Sequence, residues 1–177
     1  MATIANPADV ASIDAIVAAA YDVISGPGKK RDWDRERSLF IPGARLIPTT
    51  AKAGQINPDG TITPQVLDVE GFIERSRESF AKAGFFEKEI ARRTEQFGHI
   101  AHVWSTYESR HQADDPEPFM RGINSIQLLY DDDRWWIVTI YWQQETADEP
   151  IPQRYLRSSG EKLSSEDERE GFAGSGT

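Results

Sequence analysis

The order of elements in this sequence predicts an α+β fold, a curled mixed or antiparallel sheet wrapped around helices that come first in the chain. Three observations carry that expectation. Helical periodicity dominates the start; two short strands and one more helix follow; and from Phe85 to about Thr146 long alternating runs joined by short turns read as a four-stranded meander.

Asn6-Pro7-Ala8-Asp9 has the grammar of a helix start, with a capping Asn, Pro at the first helical position and an acid near the positive end of the dipole. Ile13, Ile16, Val17, Ala20, Tyr21 and Ile24 recur at helical spacing until Gly26-Pro27-Gly28 stops the helix. "RDWDRERSLF" repeats the period with Trp33, Arg37 and Phe40 and predicts a short second helix before Pro42-Gly43. "ARLIPTT" and "TITPQVLDV" read as two short strands around the turn Asn57-Pro58-Asp59-Gly60, with prolines that make them edge or irregular strands. Asp68 can cap a third helix whose Phe72, Ser76, Phe80 and Ala83 share a face, with Gly84 as its stop.

The four long strands are "FFEKEIARRTEQF", "HIAHVWSTYESRH", "FMRGINSIQLLY" and "RWWIVTIYWQQ", linked by a turn at Gly98, by "QADDPEP" and by Asp131-Asp132-Asp133. Short links between long alternating runs mean hairpins. Residues 1–156 are expected to form one domain and residues 157–177, rich in Ser, Gly, Glu and Arg, a disordered tail.

Composition narrows function. A formal net charge of -9 works against polyanion binding, so neither nucleic acid nor an acidic membrane is expected as a partner. The absence of cysteine excludes disulfides and thiolate chemistry and fits a cytoplasmic protein. The apolar stretch Ile13–Ile24 is interrupted by Asp14 and Asp22 and follows no basic segment, so it reads as neither signal peptide nor membrane span.

"DWDRERSLFIPGARLI", followed by "GHIAHVWSTYESR", "RGINSIQLLYDDDRWWIV" and "IYWQ", resembles the nuclear transport factor 2-like superfamily, specifically its SnoaL-like members, over roughly residues 8 to 145. The resemblance implies a cystatin-like α+β roll, a cone whose pocket is lined by the concave sheet face and the helices, with dimerisation through the outer face. It does not fix an activity, because that superfamily hosts isomerases, dehydratases, epoxide hydrolases, cyclases and non-catalytic modules. Where the resembling ketosteroid isomerases carry their base carboxylate, this chain has Pro48, and the two-histidine dehydratase pattern is incomplete.

A "QADDPEP" hairpin centred near Asp115 sets Trp104 opposite Ile126 and Thr106 opposite Asn124. His102, Trp104, Thr106, Glu108, Asn124, Ile126 and Leu128 then share a face, joined by Trp135, Ile137, Thr139 and Tyr141 if the acidic turn has two residues. By the resemblance this face is expected to line the pocket. His102 becomes the acid/base candidate, tuned by Glu108 or Tyr141. Tyr21, Trp33, Trp104, Thr106, Asn124, Ile126, Trp135, Thr139 and Tyr141 become the ligand-binding set. Trp136, Val138, Ile140 and Trp142, on the opposite face, are expected to form a homodimer interface.

No metal site is expected, since His99 and His102 fall on opposite sides of their strand and His111 ends a hairpin. No cofactor is expected either. The run Asp32, Asp34, Arg35, Glu36 and Arg37 reads as a solvated helix with ion pairs, and Glu87 with Glu89 as a solubilising outer face. The functional expectation is a small apolar organic ligand bound in the cone, with lyase, isomerase or cyclase chemistry, or else a non-catalytic dimeric module.

Overall fold

The computed structural model describes residues 4–28, 31–49 and 65–157, together with the backbone of 55–56 and 62–63. The chain opens with α1 (Pro7–Val10) and α2 (Ile13–Ile24), capped by the Asn6 and Ser12 side chains, which accept from the Ala8 and Ala15 N–H groups. Each cap satisfies a donor that the helix itself cannot. α2 buries Ile16, Val17, Ala19, Tyr21 and Val23.

The third helix, α3 (Trp33–Ser38), is short, and ion pairs hold it in place. Arg35 grips Asp9 of α1 through Nε at 2.7 Å and Nη2 at 3.0 Å and also reaches Asp22, while Arg37 pairs with Asp34 and Glu70. The helix ends sooner than its periodicity predicts. β1 (Phe40–Pro48) starts at once and runs through Pro42-Gly43, where Gly43 at φ 84° takes up a bulge between Phe40 and Arg45.

β2 (Gln55–Ile56) and β3 (Ile62–Thr63) form a small antiparallel ladder. Of the strand expected over 61–69, a bridge from Leu67 to Leu46 also remains. α4 (Val69–Lys82) follows, capped by Asp68 as predicted. The meander is β4 (Phe86–Phe97), β5 (Ile100–Arg110), β6 (Met120–Tyr130) and β7 (Trp135–Gln144).

The strand order is β1-β7-β6-β5-β4, with β1 parallel to β7 and the rest antiparallel. β7 is therefore flanked on both sides, which explains much of its apolar character. The sheet curls over α2, and Ile16, Val17, Leu46, Val103, Tyr107, Ile126, Leu128 and Ile137 fill the core between them.

The register of two hairpins corrects the expected faces. Trp104 lies opposite Ser125 and Ser105 opposite Asn124, one residue away from the expected pairing. With a side-chain period of two, one residue reverses a strand. Val103, Ser105, Tyr107 and Ser109 thus face the core, and His102, Trp104, Thr106 and Glu108 face outward. Slipping back would expose Val103 and Tyr107, both essentially inaccessible, at about 2 kcal/mol each.

β7 starts as expected, with Tyr130 opposite Trp135, and then changes face. Gln127 pairs with Thr139 but Leu128 with Ile137, so Val138 is the extra residue of a bulge. Trp135 and Ile137 point inward before it, and Ile140 and Trp142 point inward after it. A second bulge at Ile90 brings Ala91 opposite Thr106.

Beyond β7 the chain folds back over the outside of β4 and β5. A 3-10 turn, Gln153–Tyr155, stacks the Tyr155 ring on Trp104 at 5.4 Å, and the Tyr155 carbonyl accepts 2.5 Å from the Thr106 hydroxyl. The tail expected over 157–177 lies, from residue 158, outside the described residues. Among the described residues no helix is long and apolar enough to cross a membrane.

Candidate functional site

Between the concave sheet face and the helices lies a cavity of about 320 Å³. α2 contributes Tyr21, α3 Glu36, β1 Phe40 and Pro48, and α4 Phe72, Arg75 and Phe80. Opposite them stand Phe85, Glu87, Tyr107, Asn124, Ile126, Ile140 and Trp142. Phe72 meets Trp142 edge-on at 6.2 Å, and Phe80 stacks on Phe85 at 4.6 Å. The cavity is an aromatic box with a few polar groups aimed into it, the usual make-up of a small-molecule site.

A hydrogen-bonded chain runs along one wall. The Asn124 amide donates 3.0 Å to the Tyr21 hydroxyl, which lies 2.7 Å from the Ser105 hydroxyl, and Ser105 donates to Glu89. Glu89 is clamped by Arg92, which also reaches Asp14. Burial drives the Tyr21 phenol well above its ordinary range, reinforced by the charge of Glu87. Tyr107 is raised for the same two reasons, so both phenols stay protonated at any physiological pH.

Two carboxyls belong to the cavity. Glu87 accepts 2.8 Å from the Ser109 hydroxyl, and its backbone is pinned to the end of α2 by the Ser25 hydroxyl. It is half-buried and lines the cavity. Burial pushes it up to about 7, against the opposing pull of Ser109 and Asn124. Glu36 is 2% exposed and its Oε2 has no hydrogen-bond partner among the described residues. Burial alone pushes it up to about 8. An acid titrating near neutrality can both give and take a proton under working conditions.

The sequence-predicted residues divide. Tyr21, Asn124 and Ile126 line the cavity. Trp135 points inward but sits in the core against Tyr130 at 5.2 Å, and Trp33 stands behind Phe80, stacked at 6.4 Å. His102, Trp104, Thr106, Thr139 and Tyr141 lie on the outer face because of the register and the bulge. There His102 bonds the Ser125 hydroxyl at 2.8 Å and packs on Trp104 at 5.3 Å, remote from the cavity.

The expected interface set also splits. Trp136 is outside, its indole N–H donating 2.6 Å to Asp131 and its ring covered by the Arg134 guanidinium at 3.6 Å. Val138 is the bulge residue, and Ile140 and Trp142 line the cavity instead of an outer surface. Glu36 and Glu87, expected to be solvated, line the cavity instead, Glu36 buried and Glu87 half-buried. A signal existed for each: Glu36 sits at helical spacing between Trp33 and Phe40, and Glu87 shares strand parity with Phe85.

No family model matches the chain, and no curated protein does. Solved structures do match. The chain is similar to a protein of unknown function with a cystatin-like fold from Nostoc punctiforme, at TM-score 0.56 and 10% identity over 76% of this chain and 90% of that one. It is similar to a putative scytalone dehydratase from Novosphingobium aromaticivorans, at TM-score 0.51 and 11% identity over 86% and 94%. An NTF-2 like protein of unknown function from Silicibacter pomeroyi matches at TM-score 0.50 and 16% identity over 76% and 94%. The chain has the nuclear transport factor 2-like, cystatin-like α+β fold that its sequence resembles.

Proposed function

We propose that the chain binds a small, largely apolar organic molecule in this cavity and carries out acid/base chemistry on it, of the lyase, isomerase or cyclase kind, with Glu87 moving the proton. The observation that carries this reading is Glu87 itself, a carboxyl raised to about 7, bonded to Ser109 and bordering an aromatic cavity beside Asn124 and Tyr107. Ionised, it takes a proton from the ligand; protonated, it returns one. The buried phenols of Tyr21 and Tyr107 supply neutral hydroxyls that orient a ligand oxygen. His102, on the other face, has no part in this. Similarity in fold to a putative scytalone dehydratase is compatible with the reading, and the charge and lack of cysteine fit a cytoplasmic setting without nucleic acid.

A screen of soluble metabolites by thermal shift tests the binding half, because a ligand that prefers the folded state raises its melting temperature. Turnover of a hit should fall by at least about a hundredfold in Glu87→Gln. Unchanged turnover would remove Glu87 from the reaction.

A second reading, a non-catalytic dimeric module, is favoured by one observation: Asn124, Tyr21, Ser105 and Glu89 already satisfy one another. Self-association would then use the outer sheet face around Ile123, Gln127, Thr139 and Tyr141, not Ile140 and Trp142. Light scattering that finds a monomer at micromolar concentration would count against it.

A further inference from the structure

Glu36 is a buried carboxyl with one oxygen that has no partner among the described residues. Its Oε2 accepts no hydrogen bond among the described residues, the residue is 2% exposed, and it borders the cavity. The arginines on either side do not neutralise it, because Arg35 is bound to Asp9 and Asp22 and Arg37 to Asp34 and Glu70. Those ion pairs turn residues 35 and 37 outward and fix the residue between them inward. A buried carboxyl that lines a cavity and has an unpartnered oxygen is matched by a ligand that brings a donor to it.

The rest of the lining indicates which kind of donor. Tyr21, Phe72, Phe80, Phe85, Tyr107 and Trp142 surround the space, and aromatic faces attract cations as well as apolar bodies. Glu87 adds a second carboxyl to the same lining. Among the described residues the other ionisable groups facing this space are Tyr21 from α2, Tyr107 from β5 and Arg75 from α4; β1, β6 and β7 present none. Arg75 is exposed and bonds Gln65, so water screens its charge at the rim. A neutral ligand would meet the aromatic walls equally well but would gain nothing from two carboxyls.

We propose that the cavity takes a hydrophobic amine in its ammonium form, with the Glu36 carboxylate accepting from the ammonium N–H and the aromatic side chains enclosing the apolar body. This deepens, and rests on, the reading of the cavity as a ligand site. The charge balance follows from the acid. Free, Glu36 holds its proton at neutral pH; when the ammonium enters, that proton leaves to solvent and a carboxylate–ammonium pair remains. Binding of the amine therefore strengthens as pH rises toward 8 and weakens again where the amine loses its own proton.

The test compares three molecules of one shape, 3-phenylpropylamine, 3-phenylpropan-1-ol and 3-phenylpropanoate, by titration calorimetry on the full chain in two buffers of different ionisation enthalpy. The amine should bind about tenfold tighter than the alcohol at pH 7.5, with the carboxylate weakest. The buffer difference should report release of about one proton per amine bound. Glu36→Gln should abolish both the preference and the proton release while retaining alcohol binding, which shows that the variant is folded. An alcohol that binds as well as the amine, or a preference that survives in Glu36→Gln, would overturn this inference and leave the ligand-site reading standing. Binding by none of the three would remove both.

Discussion

Replacing Glu36 by Gln should make the protein less sensitive to alkali, and the size of the effect can be worked from the site. In the unfolded chain this carboxyl titrates near 4.5, and in the fold burial raises it to about 8. A raised folded value means that the folded state holds more protons than the unfolded state between those limits. The stability associated with the neutral acid is thus fully present below about pH 4.5 and is lost progressively as pH rises to about 8. Each unit of separation is worth about 1.4 kcal/mol, so the loss between pH 5 and pH 8 amounts to about 3 kcal/mol from this one residue. Gln keeps the shape and cannot ionise. Urea unfolding of both proteins at pH 5 and pH 8 measures the difference directly. Glu87 changes stability in the same direction, but it is common to both proteins and cancels. Parallel loss of stability in the two proteins would mean that Glu36 is ionised in the fold, and the reasoning about its burial would fail.

Three further outcomes are expected. Tyr21→Phe leaves the Asn124 amide and the Ser105 hydroxyl without their shared partner and should cost about 1–3 kcal/mol in chemical denaturation; no loss would mean the network re-forms without it. Gly122→Ala would drive a methyl group into the Gln143 carbonyl and the Tyr107 hydroxyl, so a loss of about 2 kcal/mol or more is expected, with Tyr107 displaced from the cavity wall. Deleting Val138 removes the bulge and leaves Trp135, Ile137, Ile140 and Trp142 in simple alternation on the inner side, so the protein should keep a cooperative melt; loss of that melt would contradict the register.

How much of this was legible depended on what each feature rests on. The caps at Asn6 and Asp68, the helix around Tyr21 and the four long strands follow from local chemistry that every window of sequence displays. So does the turn at Gly98, where φ of 54° suits a residue without a side chain. The faces of the strands rest instead on loop length and bulges. The hairpin between β5 and β6 closes one residue away from a closure centred near Asp115, and that single residue turns His102 out and Tyr107 in. Val138 carries no mark that distinguishes a bulge residue from an ordinary strand valine. Its consequence is the doubled apolarity of "RWWIVTIYWQ": the inward side changes parity halfway along a strand whose neighbours cover both edges.

The acids were misplaced for a related reason. A charged residue in a run such as Asp32 to Arg37 reads as solvated unless something says which way the helix faces. Here that information is tertiary: Asp9, Asp22 and Glu70, distant in sequence, take up Arg35 and Arg37 and leave Glu36 inside.

On the proposed reading two carboxyls, buried Glu36 and half-buried Glu87, give this cavity its chemistry in place of a histidine. Carbon-13 NMR titration of the glutamate side-chain carboxyls, assigned with Glu36→Gln and Glu87→Gln, tests it most directly. Two resonances should titrate near 8 and near 7. If both titrate at the ordinary carboxylate value of 4.5, the cavity holds no neutral acid and its proposed chemistry is wrong.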